Sequence, residues 1–141
     1  MDIKAKTKHG ELTLDEIGSL MPGMSELMVA MGQRYQTMYH AARDGNWLLA
    51  AYQLRAIRKL LGTSKLTRPK YAQAMDEFAD RHLAPLARAI EAKDWAAFST
   101  ASEAAVAASD EYHRTWGYGY ILYRVSPDPG TQYRLVPPAQ A

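Results

Sequence analysis

The stretch Ala42-Arg43-Asp44-Gly45-Asn46-Trp47 decides the fold. Gly45 is the residue that ends a helix, because glycine enters the left-handed region without a Cβ penalty. Asn46 can cap the next helix through its side-chain oxygen, and Trp47 then opens that helix with a large apolar face. Further along, Glu91-Ala92-Lys93-Asp94-Trp95 echoes the pattern, with a capping residue followed at once by Trp. Each stretch reads as the elbow of an αα-hairpin. Two such hairpins predict an all-α chain, an antiparallel up-down-up-down four-helix bundle with both elbows at one end.

The segments on either side of the elbows have the required periodicity. Met24, Met28, Met31, Tyr35, Met38 and Ala42 recur at intervals of three and four, which predicts one apolar seam on a helix from Met24 to Arg43. Trp47, Ala50, Leu54, Ile57 and Leu61 share a face of a second helix, for which Gly62 is the natural stop. A third helix is expected to open at Pro69, where a missing N–H costs little. Its face is Tyr71, Met75, Phe78, His82, Leu86 and Ile90, and Pro85 should kink it or divide it near Leu83. A fourth runs from Trp95 to about Trp116, with an alanine-rich stretch over Ala101–Ala108 and a stop at Gly117 and Gly119. Thr13-Leu14-Asp15-Glu16 has capping-box spacing. The expected organisation is one domain over 1–141, with 1–12 loose, a short helix over 13–21, a four-helix bundle over 24–116 and an extended arm over 117–141 lying across it.

Composition limits the function classes. The 141 residues suffice for one domain with a core, and 48% apolar with 23% charged residues is ordinary for a globular protein. A net charge of +2 without a Lys/Arg cluster argues against nucleic acid. No window is long and apolar enough for a membrane span. Absence of cysteine excludes disulfides, thiolate metal sites and cysteine nucleophiles. The first residues, Met1-Asp2-Ile3-Lys4-Ala5-Lys6, have no apolar run behind their charges, which leads to the expectation of a cytoplasmic protein. No phosphate-binding glycine loop, zinc-protease helix or nucleophile elbow occurs.

The stretch with the densest chemistry is Ser109-Asp110-Glu111-Tyr112-His113-Arg114-Thr115-Trp116-Gly117-Tyr118-Gly119-Tyr120. From Leu27 to about Leu135 the chain resembles small bacterial cytochrome c-like four-helix bundles, akin to cytochrome c′. The resemblance is carried by Leu27-Met28 and Met31, by Gly45-Asn46-Trp47-Leu48-Leu49-Ala50-Ala51-Tyr52, by Leu86, Ala89-Ile90, Ala92-Lys93-Asp94 and Phe98, and by His113, Gly117, Gly119, Tyr120, Ile121 and Pro127. In that family the fourth helix carries Cys-x-x-Cys-His, for which this chain has Ser109-Asp110-Glu111-Tyr112-His113. The resemblance implies a fold that is kept and a covalent haem that is given up. It implies a binding protein with a pocket near His113, open to non-covalent haem or another flat apolar ligand, and it implies a homodimer.

His113 is then a haem ligand or the polar anchor of another ligand, and otherwise a helix-end histidine satisfied by a carbonyl or water. Tyr112, Trp116 and Tyr120 bring apolar bodies with polar tips to the same place, and Arg114 can hold a ligand carboxylate. Two further readings stand beside the binding protein. One is an enzyme on a small aromatic or carboxylate substrate, with His113 as acid/base and Tyr112 or Arg114 positioning it. The other is a ligand-free interaction module built on the seam of the first helix. Asp110 and His113 have the spacing of di-iron bundle ligands, but the second such motif that site needs is missing. His82 is a candidate second ligand or acid/base group in the interior.

Overall fold

The computed structural model describes residues 3–139 and is predominantly helical. The chain begins with an antiparallel hairpin, β1 Lys4–Thr7 and β2 Gly10–Thr13, with Lys4 opposite Thr13 and Thr7 opposite Gly10. This corrects the expectation of a loose segment over 1–12, whose first two residues lie outside the described ones. The two-residue Lys8-His9 turn closes because Gly10 takes φ 149° and the Thr7 hydroxyl donates to its carbonyl at 3.1 Å. Thr13 then caps α1 (Leu14–Ser19). The Glu16 amide donates to the Thr13 hydroxyl and the Thr13 amide to the Glu16 carboxylate, which is the reciprocal capping box expected.

Helix α2 spans Met24–Arg43, and α3 spans Trp47–Thr67. The elbow between them closes as a Schellman motif. Gly45 stands at φ 82°, its amide donates to Ala42 O, and the Asn46 amide donates to Ala41 O at 2.8 Å. The Asn46 side chain accepts from the Leu49 amide. Helix α3 continues past Gly62, where the sequence suggested a stop. A helix tolerates an interior glycine at about 1 kcal/mol, and the block comes at Arg68, which precedes Pro69 and is held at φ −138°.

The third helical stretch is divided. A 3₁₀ turn at Pro69–Tyr71 leads into α4 (Ala72–Phe78), then a π-helical turn at Ala79–Leu83, then α5 (Ala84–Ala92). The wide turn falls where Pro85 lacks a donor, and the Ala84 amide donates to Ala79 O across it. Helix α6 (Trp95–Thr115) starts from Asp94, whose carboxylate accepts from the Ala97 amide at 3.0 Å. Its end is a second Schellman motif, with Gly117 at φ 85° and the Tyr118 amide on His113 O at 2.7 Å.

Helix α2 packs on α3 and α6, α5 on α3 and α6, and α4 on α3 and α6. Met38, Ile57, Leu83, Leu86 and Phe98 are fully buried between them. Trp47 and Trp95 meet around Phe98, with ring centroids 6.3 and 5.9 Å away, so the two elbows share one end, as expected.

Beyond Thr115 no described residue is in a helix or strand, and the arm runs along α2. Gln36 holds it from both sides: its amide nitrogen donates to Asp128 O at 2.6 Å, and its oxygen accepts from the Ser126 amide at 2.8 Å. Buried His40 donates from Nε2 to Ser126 O at 2.8 Å. Tyr123 crosses from α6 to α2, its amide donating to Asp110 Oδ1 and its hydroxyl to Gly32 O at 2.8 Å.

Candidate functional site

A cavity of about 500 Å³ lies between the first half of α2, α4, the second half of α6 and the start of the arm. Its volume is within the ~300–1,000 Å³ typical of small-molecule sites. The α2 wall is Met24, Met28 and Met31, three positions of the apolar seam, so the seam serves a cavity in its first half and the core in its second. Methionine suits such a wall, since its thioether is soft and adapts to shape. Met75 and Phe78 close the opposite side from α4, and Leu83 reaches it from the π-helical turn.

Helix α6 presents Ser109, Tyr112, His113 and Trp116 to the cavity. Ser109 and Tyr112 occupy the two positions at which the resemblance has cysteines. His113 follows on the same face. Among the described residues neither ring nitrogen of His113 has a hydrogen-bond partner, and its Nδ1 is fully buried. An unpartnered buried nitrogen is unfavourable by about 1–3 kcal/mol and calls for a partner such as a water, an ion or a ligand; His40 Nδ1 and Gln53 Nε2 are unpartnered in the same way. The Tyr112 hydroxyl donates to Glu77 Oε2 on α4 at 3.3 Å. Burial, then the neighbouring Glu77 charge, push its phenol above the usual tyrosine range. Trp116 stands edge-on to Tyr71, centroids 4.7 Å apart, across the opening between α6 and the third helical stretch.

The arm forms the roof. Tyr118, Ile121 and Tyr123 line the cavity, and Tyr123 is edge-on to Tyr35 at 5.7 Å. Tyr35 is 8% exposed, and its hydroxyl meets Ser102 on α6 at 2.9 Å. Burial drives its phenol up to about 12, and Tyr123 is raised for the same first reason.

Three of the five residues expected at the site, His113, Tyr112 and Trp116, are thus brought together. The other two are not. Arg114 points away along α6, where it pairs with Glu111 and packs under Gly119. Tyr120 is 79% exposed and leans edge-on against Tyr118 outside the cavity. Helical geometry accounts for Arg114, since it lies about 100° beyond His113 and about 200° from Tyr112, off the face formed by Ser109, Tyr112, His113 and Trp116. Asp110, which shares a helix face with His113, receives the Tyr123 amide, and no group of three or more His, Asp or Glu among the described residues is disposed to hold a metal ion. His82 lies tilted against Phe78, ring centroids 5.4 Å apart, and faces a separate open groove with Arg81 and Pro85, rather than the cavity. Burial, then the Arg81 charge, hold its imidazole below the usual histidine value.

Sequence reasoning missed Arg68 and Lys70, which also line the cavity. The available signal was Pro69 between them, which restricts the Arg68 backbone and opens the turn that carries Lys70. Among the described residues no helix is long and apolar enough to cross a membrane. No family model, curated protein or solved structure matches the chain.

Proposed function

We propose that this chain is a binding protein that holds a flat apolar ligand non-covalently, with His113 as the polar anchor and haem as the leading candidate. The single observation carrying this reading is the cavity of about 500 Å³ with the unpartnered His113 imidazole in its wall. The architecture behind it is an antiparallel four-helix bundle akin to the cytochrome c′-like proteins. The ring of packed neighbours, α2 on α3, α3 on α5, α5 on α6 and α6 on α2, supports that arrangement.

The residues present fit a haem. Ser109, Tyr112 and His113 face one space, so the helix that would carry the thioethers is turned the right way, yet it offers only the imidazole. Bound there, haem would supply an iron centre for electron transfer or for a small diatomic ligand. The methionine and aromatic walls would exclude water, and His113 would offer one ring nitrogen. Its Nδ1 lacks the acceptor that usually stiffens a metal-bound imidazole, which favours a weak, exchangeable ligand over a permanent one. The α2 seam is used inside one chain, so the homodimer rests on the resemblance alone.

The test is an absorption spectrum of the purified protein mixed with one equivalent of haem. A Soret band displaced from that of free haem, and altered in His113→Ala, is the expected result. An unshifted band, or the same band in both proteins, contradicts the proposal.

A further inference from the structure

The cavity wall is mostly apolar, with His113, two serines and tyrosine hydroxyls among its polar groups, and its Lys/Arg side chains, Arg68 and Lys70, stand at one edge. Both are exposed as well as cavity-lining, so they stand where the cavity meets solvent. Their placement is fixed by the backbone. Arg68 stands at φ −138°, ψ 70°, kept out of the helical region by the proline that follows, and Pro69 opens the 3₁₀ turn that carries Lys70.

Neither cation has an acidic partner at ion-pair distance among the described residues. The Arg68 guanidinium donates only to the Thr67 carbonyl, at 2.7 Å, and lies beside Gly23 at the start of α2. The Lys70 ammonium sits 4.9 Å from the Tyr71 ring centroid, and Tyr71 in turn meets Trp116. Glu26 is the acid nearest Arg68, but its carboxylate is engaged by its own helix start and by the Ser25 hydroxyl at 3.1 Å. No carboxylate lines the cavity itself.

Two cations at the rim of a mostly apolar cavity, neither within ion-pair distance of an acid although the Arg68 charge acts on Glu26, select for an anion attached to an apolar body. A guanidinium fork accepts a carboxylate in two parallel hydrogen bonds, and an ammonium adds a point charge. A carboxylate brought to that rim keeps polar partners while the rest of the ligand leaves water. We infer that the ligand is an amphipathic carboxylic acid, with its apolar body among Met28, Met31 and Met75 and its carboxylate between Arg68 and Lys70. This rests on the binding-protein reading above and names the chemical class of its ligand. The acid can be a ring system bearing propionates or a long-chain fatty acid.

The experiment uses two acid–ester pairs: protoporphyrin IX and its dimethyl ester, and palmitate and methyl palmitate. Each is titrated into the full chain and followed by tryptophan fluorescence, to which Trp116 in the cavity wall contributes. At least one acid should bind roughly tenfold more tightly than its ester, the scale of one charge-assisted contact at a half-exposed site. Which acid does so separates the ring from the chain. In the double variant Arg68→Gln/Lys70→Gln the acid should fall to the affinity of its ester. Unchanged ester affinity in that variant shows that the cavity is intact. Equal binding of acid and ester by the original chain, or an acid preference that survives in the double variant, overturns the inference and leaves the cavity reading standing. Binding of none of the four overturns both.

Discussion

Lys93 stands at φ 54°, ψ 38°, in the left-handed region that Gly45 occupies at the other elbow. Its amide donates to Ile90 O and the next amide to Ala89 O at 2.9 Å, the same closure made by a residue that carries a Cβ. The sequence echo between the elbows is therefore an echo of backbone geometry, with glycine at one and strain at the other. Lys93→Gly should raise stability by about 0.5–1 kcal/mol, seen as a higher urea midpoint with an unchanged slope, and a lower midpoint would contradict this account. Tyr35 gives a pH dependence. Its phenol is raised in the folded chain from an ordinary value near 10 to about 12, so the folded state holds its proton longer than the unfolded state does. That contribution, about 2–3 kcal/mol for a two-unit shift, is fully present below pH 10 and is lost as pH rises from about 10 to 12. Thermal unfolding across that window should show a decline that is smaller in Tyr35→Phe. An equally steep decline in the variant would assign the loss to other groups.

Among the elements, the helices and their ends were the legible part, because they are set by neighbours in sequence. The Thr13 box, the Asn46 and Asp94 caps and the wide turn before Pro85 all depend on residues within five positions. Gly62 was misread because a glycine permits a helix end without requiring one. The short hairpin over Lys4–Thr13 was missed because its strands lack an alternating apolar pattern. The expectation of an extended arm lying across the bundle gave no path for it. Its path is set by Gln36, His40 and Asp110, partners far away in sequence. The tightest point of docking is Gly32, where an added Cβ would stand 3.1 Å from the Tyr123 ring. Gly32→Ala should push that ring outward and loosen the roof of the cavity, a cost of about 1 kcal/mol at that contact offset by the roughly 0.5–1 kcal/mol that alanine gains over glycine inside α2. Limited proteolysis should then cut between 118 and 126 faster than in the original chain, and equal rates would show that the arm is held without that contact.

For the molecule as a whole, the sequence placed His113, Tyr112 and Trp116 together because they share one helix, and it could not place Arg68 and Lys70 beside them. That juxtaposition needs α4 to lie against α6 while α2 and the arm close the remaining sides, and it is a property of the packed chain. The central claim is that this partly open cavity, rather than the exposed aromatics around Tyr120, is where a ligand resides. The methionines report on it directly. Met24, Met28, Met31 and Met75 line the cavity, whereas Met38 is fully buried in the core and Met21 lies on the surface. An NMR spectrum of the protein carrying ¹³C-labelled methionine methyl groups, recorded before and after one equivalent of protoporphyrin IX, reads all of them at once. The account predicts large ring-current shifts at Met28, Met31 and Met75, with Met21 and Met38 nearly unmoved. Shifts confined to Met21, or no shift at the cavity methionines, would contradict it.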